Sequence, residues 1–456
     1  GSNLLQTWTG GNAAWTSASS NWVNDGGSAA EAWAGNHAVF LTAGGGTVDV
    51  QGTQSFAGLQ FVADGYRLNG AGTLETRAAG SELRVLGGAA TTIDTVISGT
   101  GGIDKTQGGT LTLNGANTYA GGTTVSGGVL SVSSDANLGA ASGGLALNGG
   151  TLRIADAAYL GTARSLALGA SGGALDLPND FTLQGAVSGA GALNKAGAGM
   201  LTLASDSSAY AGTAIVSAGG LTLVDGARLG GSVQIAQGAL LAGSGTLGSA
   251  AFAAGAVHAP GGDAIGAQTF TGDYVNHGTL RIDATPTSHD SVVVAGGVDI
   301  TGATLDLRLT PTDAAAWSAV TGPYTLISKQ SAGAVAGGFA TVNNPLLFLD
   351  ASVNTAGGDG NDVTLTLERN QRSVASAART PNQRAVAAAI DSLPQSHDVW
   401  RAAMLSNDAG QLQQGLDQLS GDTHASVVSG LMNAAPVAPQ AGLARLRVNL
   451  AAPMLP

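Results

Sequence analysis

The sequence predicts an all-β fold, a right-handed parallel β-helix, with a short α-helical segment at its C-terminal end. Short runs in which apolar and polar residues alternate recur along most of the 456 residues, and this period-two pattern is typical of strands with one buried face. The 72 glycines, against 12 prolines, provide the turns between such runs. A block at residues 96–132 recurs at 186–223, and an internal repeat of this kind indicates a solenoid.

The repeat explains how each coil is built. Ser-Gly-x-Gly, a lysine, Leu-Thr-Leu, Tyr-Ala-Gly and Gly-x-Leu follow in the same order in both blocks. We expect Leu, Val and Ile to face inward and stack on the neighbouring coils, Thr to face outward, and Gly or Asn to form the corners. With coils of roughly 20 to 25 residues spaced about 4.8 Å apart, the column would stand on the order of 75 Å tall.

The period-two pattern ends near residue 369, where helical patterns begin. Thr380 is a predicted N-cap, Pro381 occupies the first helical position and Gln383 completes a capping box. The apolar face of this helix is predicted to comprise Val386, Ala389, Ile390 and Leu393. Further amphipathic helices are predicted at residues 396–405 and 407–433, and a Pro- and Ala-rich linker at 435–456.

Charge and cysteine content narrow the class of function. The net charge is −12, and the three lysines (Lys105, Lys195 and Lys329) lie far apart, so the clustered basic residues that a phosphate backbone requires are missing and no nucleic acid is expected as a partner. The chain has no cysteine, which favours export through an oxidising compartment. No signal peptide and no run of 18 apolar residues is present, so we expect a soluble piece from which targeting segments have been removed.

The repeated block resembles the passenger-associated repeat of bacterial autotransporters. Its first copy carries the motif at Gly101, Ile103, Lys105, Gln107, Gly109, Leu111, Leu113, Asn117, Tyr119, Gly121, Thr123, Val125, Gly128 and Leu130. Gln107 departs from the motif, which has glycine at that position. The second copy departs as well, because it lacks the asparagine before Tyr210.

Three other segments are similar to the same family. Residues 7–22 resemble the Trp-rich start of such passengers, residues 274–368 resemble the pertactin-like segment that seeds folding of the β-helix, and the helix after Thr380 is similar to the one that precedes the translocating barrel. The resemblance therefore implies four regions. These are a Trp-rich N-terminal cap at 1–34, a β-helix at 35–273, the folding-seed segment at 274–368 and an α-helical linker segment at 369–456.

The resemblance also implies a route and a location. A passenger of this family is exported by type V secretion through the periplasm and a C-terminal outer-membrane barrel, and it folds outside the cell. We expect that barrel to be absent from these residues, and we expect the chain to be tethered at the bacterial surface or secreted. The lack of cysteine suits this route, since no disulfide can form before translocation and block a narrow pore.

Three short motifs suggest chemistry, and each has a simpler explanation. Residues 169–173 fit the Gly-x-Ser-x-Gly of hydrolases around Ser171, but the helix that such an elbow needs does not follow. Residues 243–248 fit a dinucleotide-binding Gly-x-Gly-x-x-Gly, but a strand pattern follows. Residues 357–362 resemble one copy of a calcium-binding repeat, and a lone copy gives an incomplete oxygen shell. We predict Gly-rich turns at all three.

The histidines give no sign of a site either. The six are scattered at spacings that suit no metal site, and adjacent residues such as His289, Asp290 and Ser291 face opposite ways on a strand, so they form no triad. We therefore expect no catalytic, cofactor-binding or metal-binding residue and no enzymatic activity.

The leading functional hypothesis is a virulence factor that binds a host protein. The partner would be a matrix protein in adhesion, or a serum or complement regulator in immune evasion; hydrolase activity and self-association in aggregates or biofilms are the alternatives, and a monomer is expected. Loops between coils can vary without disturbing the column, so binding is expected there. The candidate loops are 24–36, 259–268 and 311–323, with candidate contact residues Asn24, Asp25, Trp33, Asn36, Asp263, Gln268, Asp313 and Trp317.

The two ends of the column carry separate predictions. Trp8, Trp15, Trp22 and Trp33 either close the open N-terminal end, which we favour, or form an aromatic binding surface. Residues 274–368 hold many large apolar side chains and are expected to be the most stable coils. These side chains are Leu305, Leu307, Leu309, Tyr324, Leu326, Ile327, Phe339, Leu346, Leu347, Phe348 and Leu349.

Overall fold

The computed structural model describes residues 4–310 and 322–421. Within them the chain forms a β-solenoid of about 13 turns, followed by three α-helices. The predicted all-β fold, a parallel β-helix, is confirmed. In the described part of the solenoid no α-helix interrupts the coils, and a single 3-10 turn lies at Asp135–Leu138.

Two long sheets form most of the column. Sheet A comprises β1 (Leu5–Trp8), β3 (Trp22–Asn24), β4 (Ala30–Glu31), β5 (His37–Phe40), β8 (Gly58–Phe61), β11 (Ser81–Val85), β14 (Ile103–Thr106), β16 (Thr123–Val125), β18 (Leu145–Leu147), β21 (Leu166–Leu168) and β24 (Val187–Gly189). Sheet B comprises β2 (Ala14–Trp15), β6 (Gly46–Val50), β9 (Tyr66–Asn69), β12 (Ala90–Ile93), β15 (Thr110–Leu113), β17 (Val129–Val132), β19 (Thr151–Ile154), β22 (Gly173–Asp176), β25 (Leu193–Ala196), β27 (Asp206–Ser207), β28 (Thr213–Val216), β30 (Arg228–Ile235), β32 (Thr246–Phe252), β34 (Ala267–Phe270), β35 (Tyr274–Asn276), β37 (Ser291–Val294), β38 (Val298–Asp299), β40 (Tyr324–Lys329), β42 (Leu349–Gly357) and β43 (Asp362–Arg369).

The third wall of the column changes along its length. Sheet C, near the N-terminal end, comprises β7 (Thr53–Phe56), β10 (Thr73–Thr76) and β13 (Val96–Gly99). Sheet D comprises β20 (Gly161–Thr162), β23 (Phe181–Leu183), β26 (Met200–Leu203), β29 (Gly220–Leu223), β31 (Leu240–Gly243), β33 (Val257–Pro260), β36 (Thr279–Ala284), β39 (Thr304–Leu309) and β41 (Thr341–Asn343). Sheet A ends at β24, and the coils beyond it are built from strands of sheets B and D.

Strands of successive coils stack in parallel and in register. In sheet A, Lys105 pairs with Leu83 on one side and Val125 on the other, separations of 22 and 20 residues along the chain, which agree with the predicted coil length. Leu111 and Leu113 of β15 are buried, whereas the two threonines of this strand are partly exposed. Inward apolar residues and outward threonines therefore alternate as predicted, because successive side chains of a strand point to opposite faces.

The N-terminal end is closed by an antiparallel pair. β1 pairs antiparallel with β3 and parallel with β5, so it covers the first coil. Trp8, Trp15 and Trp22 are buried and contact one another and Phe40. Trp33 is partly exposed, with its ring centroid 4.6 Å from that of Trp22. Three of the four tryptophans thus lie in the core and offer no aromatic surface to a ligand.

The parallel stacking ends at the other extremity of the column. β40 pairs parallel with β37 but antiparallel with β43, which forms a hairpin with β42. The large apolar side chains noted between Leu305 and Leu349 are buried, except Phe339 and Leu347, which are partly exposed. The antiparallel hairpin leaves no long unpaired parallel edge in sheet B at this end.

Three helices cover this end: α1 (Pro381–Asp391), α2 (Asp398–Met404) and α3 (Ala409–Ser420). α1 begins as predicted, with the Thr380 side chain accepting a hydrogen bond from Gln383 N in a capping box. Its predicted apolar face is corrected at one position, since Ala389 is exposed and Ala387 is buried in its place. The buried face is centred on the i, i+4 pair Gln383 and Ala387 and continues to Ile390.

The helices are attached to the last coils of the column. Leu347 N donates a 3.0 Å hydrogen bond to Ser406 O, and Asn407 Nδ2 donates to Leu309 O at 3.2 Å. Trp400, Met404 and Leu405 are buried in the same apolar core as the β-helix. Within the described residues, none of the helices has the length and apolar character to cross a membrane. The predictions for residues 422–456 lie outside the described residues.

Candidate functional site

Each lysine of the chain closes a corner of the column. The Lys105 ammonium donates to the carbonyl oxygens of Thr106, Gln107 and Gly127 at 2.9–3.0 Å. The Lys195 ammonium binds the carbonyls of Gly197, Gly199 and Ala218, and Lys329 binds those of Ser331, Ala332 and Gly333. All three side chains are buried, and burial lowers the pKa of Lys105 and of Lys195 to about 8. None of these ammonium groups therefore faces solvent to bind a ligand.

The Asn and Tyr side chains of the first copy are also bonded inside the protein. Asn117 Oδ1 accepts from Ile97 N at 2.8 Å and its Nδ2 donates to Asn137 O at 2.7 Å. The Tyr119 hydroxyl lies 2.7 Å from Thr123 Oγ1. Both side chains are buried. These motif residues are therefore structural.

In the second copy a serine replaces the missing asparagine. Ser207 Oγ accepts from Val187 N at 2.8 Å, in the place that Asn117 Oδ1 takes in the first copy. The sequence comparison missed this residue because Ser207 lies three positions before Tyr210 whereas Asn117 lies two before Tyr119. The signal that could have found it is its offset of 90 residues from Asn117, the same offset that aligns the lysines.

The motifs at 169–173 and 357–362 lie at turns, as predicted, whereas residues 243–248 run from the end of β31 through a short bend at Ser244 into β32. Ser171 sits between β21 and β22, and its backbone N donates to Asn148 Oδ1 at 3.0 Å. Gly243 ends β31 and a strand follows; Gly357 and Asp362 flank the turn of the β42–β43 hairpin. Across residues 4–310 and 322–421, no group of three or more acidic or histidine side chains is placed to hold a metal ion.

The first candidate loop, residues 24–36, lies beside the Trp-rich end. Asp25 is exposed in a turn. Asn24 Nδ2 bonds Glu31 Oε2, Trp33 Nε1 donates to Ser55 O at 2.8 Å, and Asn36 Oδ1 accepts from Arg77. These contacts fix the loop on the first coils, and its role in binding stays a prediction.

The second candidate loop is shorter than predicted. β33 continues to Pro260 and β34 begins at Ala267, so the turn spans only residues 261–266. Asp263 is exposed at its tip. The prediction that Gln268 contacts a partner is corrected. Its side chain points into the core, where Nε2 donates to Ala242 O at 3.2 Å, so it is unavailable to a partner. The third loop, with Asp313 and Trp317, falls mostly in residues 311–321, outside the described residues.

Asp263 belongs to a groove on the outer face of sheet D, which we call the sheet D groove. Its floor is formed by outward residues of β26, β29, β31 and β33, among which Thr202, Thr222 and Ala242 are neighbours in the strand register. The turn after β29 forms one wall and the turn at 261–266 forms the other. The groove has a volume of about 500 Å³.

The sheet D groove combines apolar surface with negative charge. Met200 and Leu240 are partly exposed on its floor, and Val224 is 38% exposed on its wall. It is also lined by four charged residues: Asp180, Asp225, Asp263 and Arg281. The Arg281 guanidinium lies 3.8 Å from the Asp306 carboxylate, whereas the three aspartates form no ion pair within the described residues. The groove therefore carries a net negative charge.

Buried polar groups hold the wall of the groove in place. Asp290 is buried, and its two carboxylate oxygens accept from Gly266 N at 2.9 Å and Asp283 N at 2.8 Å. Gly266 ends the wall turn, so this carboxylate ties the turn to β36. Burial raises the pKa of Asp290 to about 6, because the charged form loses hydration.

A fully buried network lies beneath the groove floor. Asn276 Nδ2 donates to the Tyr274 oxygen, so the Tyr274 hydroxyl donates to His258 Nδ1 at 2.8 Å. His258 Nε2 then donates to Gln268 Oε1 at 2.7 Å. Burial lowers the pKa of His258 to about 4, so the ring is neutral near pH 7. Each polar atom in this chain of hydrogen bonds has a partner, which makes the floor rigid.

The fold and the repeat define a class. The passenger-associated-transport-repeat family matches residues 103–132 and 193–223, the two copies found in the sequence. The Adhesin BmaC autotransporter of Brucella suis biovar 1 (strain 1330) is 37% identical over 244 residues, which are 50% of this chain and 7% of that protein. The resemblance to autotransporter passengers is therefore confirmed, and a cell-surface or secreted location with it. The chain spans about 7% of the length of this relative.

Proposed function

We propose that the chain acts as an adhesin-like, non-enzymatic passenger that binds a host protein through the sheet D groove. The observation that carries this proposal is the groove itself, a concave surface with a rigid floor, apolar side chains and three carboxylates that form no ion pair among the described residues. The name of the relative, an adhesin, supports a binding role for this chain. A matrix protein, or a serum or complement regulator bound for immune evasion, fits this role.

The chemistry of the groove favours one kind of contact. Its length runs across several coils, so an extended segment of the partner fits better than a small compact ligand. Basic side chains would meet Asp180, Asp225 and Asp263, and apolar side chains would cover Met200 and Leu240. Charge complementarity of this kind raises the association rate and selects the partner, and it weakens with salt.

Charge reversal in the groove tests the proposal. The variant Asp225→Lys/Asp263→Lys should bind immobilised human matrix and serum proteins at least about 10-fold more weakly than the wild type, measured by biolayer interferometry. The control Asp64→Lys/Asp359→Lys makes the same charge change at exposed positions outside the groove and outside the candidate loops and should bind normally. Equal binding by both variants would reject the groove, and a wild type that binds none of these proteins would reject the function.

Sedimentation of the purified wild type distinguishes binding to a host protein from self-association. Sedimentation velocity of the wild type should give a monomer over a range of concentrations. An oligomer that grows with concentration would favour the alternative of contact between bacteria.

A hydrolase would instead require a catalytic group, and Ser171→Ala should leave every measured property of the chain unchanged.

A further inference from the structure

One buried carboxylate joins a wall of the sheet D groove to the column. The wall turn, residues 261–266, begins with Gly261 and Gly262, whose φ angles of 77° and 72° are ones that glycine adopts readily. At the other end of the turn, Gly266 N donates to Asp290 Oδ1 at 2.9 Å, and Gly266 O accepts from Ser291 N at 3.0 Å. The turn therefore has a start of high conformational freedom and an end that is held partly by a carboxylate.

The second oxygen of this carboxylate binds a residue that is more firmly placed. Asp290 Oδ2 accepts from Asp283 N at 2.8 Å, and Asp290 N donates to Asp283 O at 2.8 Å. Asp283 also lies in β36, which is paired with β39 along its length. A change at the carboxylate therefore leaves Asp283 in position, whereas Gly266 lies in a turn at the surface.

Protonation of Asp290 is incompatible with this arrangement. Each carboxylate oxygen faces a backbone N–H group, which is a donor. A carboxyl proton on either oxygen would point at a donor rather than at an acceptor, and a neutral carboxyl group accepts less strongly than a charged one. One of the two amides must then move away from the carboxyl group. The amide that can move is that of Gly266, because Asp283 is fixed within a strand.

The proton binds in a mildly acidic range. Burial first, and then the nearby charge of Asp283, raise the pKa of Asp290 to about 6. Because this value is above that of an aspartate in the unfolded chain, the proton favours the folded chain. That contribution is full below about pH 4 and is lost as the pH rises through about 6. Acidification from pH 7 to pH 5 therefore affects the turn without unfolding the column through this group.

The other charged and titratable groups around Asp290 have their own contacts. Among the described residues Asp290 forms no ion pair, and the two nearest arginines, Arg281 on β36 and Arg308 on β39, lie 3.8 Å and 3.4 Å from the Asp306 carboxylate. His289 Nδ1 lies 2.7 Å from the backbone oxygen of Asp290. The remaining groups are Asp263, exposed in the wall turn, His258, which is neutral in the core, and Tyr324 on β40, whose ring contacts that of His289.

We propose that Asp290 is a pH-dependent switch for the sheet D groove. When ionised it holds the wall turn against the column, and when protonated it releases Gly266, so that the turn and Asp263 move away and the groove loses one wall and one carboxylate. The groove then binds its partner at neutral pH and releases it in acidic surroundings. This regulation rests on the proposed function of the groove, whereas the movement of the turn does not.

Hydrogen exchange of the Gly266 amide tests the switch without a binding partner. The protonated fraction of Asp290 rises from about one tenth at pH 7 to about nine tenths at pH 5, so the protection factor of this amide should fall about ten-fold in the wild type. The Thr279 amide, which donates to Ala256 O at 2.8 Å, is the control and should stay constant. Asp290→Asn is uncharged at both pH values, so its Gly266 amide should be weakly protected at both. A constant protection factor in the wild type, or a pH-dependent one in Asp290→Asn, would overturn the proposal.

Two further variants separate Asp290 from its neighbours. Asp283→Asn removes a charge that raises the pKa of Asp290, so the loss of Gly266 protection should shift to lower pH. His289→Gln removes a side chain of the type that ordinarily titrates in this range and should leave the loss unchanged. A loss that disappears in His289→Gln, or one whose midpoint is the same in Asp283→Asn, would contradict the assignment to Asp290.

Binding to immobilised human matrix and serum proteins tests the consequence for the groove. The wild type should bind at least about five-fold more weakly at pH 5 than at pH 7, and Asp290→Asn should bind at pH 7 as weakly as the wild type does at pH 5. Equal binding by the wild type at both pH values, together with a released turn, would reject the regulation. No binding at either pH would reject the proposed function instead, and the exchange of the Gly266 amide would still decide whether the turn is released.

Discussion

The two copies of the repeat, residues 103–132 and 193–223, form equivalent hydrogen bonds to the backbone with partly different side chains. In both, a buried lysine binds three backbone carbonyls of a corner. In both, a polar side chain accepts from a buried amide of the preceding coil, yet it is Asn117 in one and Ser207 in the other. Both copies must provide a hydrogen-bond partner for the same buried backbone amide, but the residue that provides it can differ between them.

The copies differ in the strain that they tolerate. Gln107 has φ 64°, and it is the one non-glycine residue with positive φ among the described residues. The equivalent position of the second copy is Gly197, with φ 79°, where a Cβ would come within 2.3 Å of Leu177 O. The first copy therefore holds a left-handed residue with a side chain, whereas the second accepts only glycine.

The largest effect should come from the lysines. Lys105→Met and Lys195→Met keep the aliphatic stem but remove the ammonium donor from three carbonyls of a partly buried corner, so each should lower the free energy of unfolding by about 3–5 kcal/mol. Urea unfolding followed by circular dichroism measures this. A loss in one copy but not in the other would show that the two corners are not equivalent.

Removing the polar acceptor, Asn117 or Ser207, should lower the stability of the two copies by different amounts. Asn117→Ala removes hydrogen bonds to two buried backbone groups and should destabilise by about 2–3 kcal/mol, whereas Ser207→Ala leaves only Val187 N unpaired and should destabilise by about 1–2 kcal/mol. Hydrogen exchange at the Ile97 and Val187 amides reports each loss directly. Asn117→Ser is the control, since it retains an acceptor, and its loss should be smaller than that of Asn117→Ala.

For the tyrosines the order is reversed, and the larger loss of stability is expected in the second copy. The Tyr210 hydroxyl donates to Gly191 O and accepts from Leu193 N, so Tyr210→Phe leaves two buried backbone groups unpaired and should destabilise by about 2 kcal/mol. Tyr119→Phe should destabilise by about 1 kcal/mol, because Thr123 Oγ1 retains its bond to Leu138 O. Equal thermal denaturation midpoints for the two variants would contradict this difference.

The smallest expected effect is a gain. Gln107→Gly should stabilise the chain by up to about 1 kcal/mol, because glycine adopts positive φ without the clash that a Cβ brings. Gly197→Gln should instead destabilise, since its Cβ would clash with the Leu177 carbonyl. Denaturant midpoints of the two variants should therefore move in opposite directions from that of the wild type.

Much of this fold could be predicted because its signals are local. Alternation of Leu and Thr in β15 identified a strand, and Thr380 with Gln383 identified the start of α1. The apolar face of α1 was wrong at Ala389 because the direction from which the last coils contact the helix is not a local property. Gln268 was placed in a loop because the turn at 261–266 is Gly-rich and masked the start of β34.

By itself, the sequence determined the period of the strands, the corners and the repeat, since backbone conformation responds to the residues nearest in the chain. Only the tertiary structure decided which residues meet across coils. Asp180, Asp225 and Asp263 lie about 40 residues apart, and they line one groove because nearby coils stack in a fixed register. The same stacking buries Lys105 and Lys195, whose charge alone would have placed them in solvent; a shift of one residue in register would turn each side chain to the opposite face.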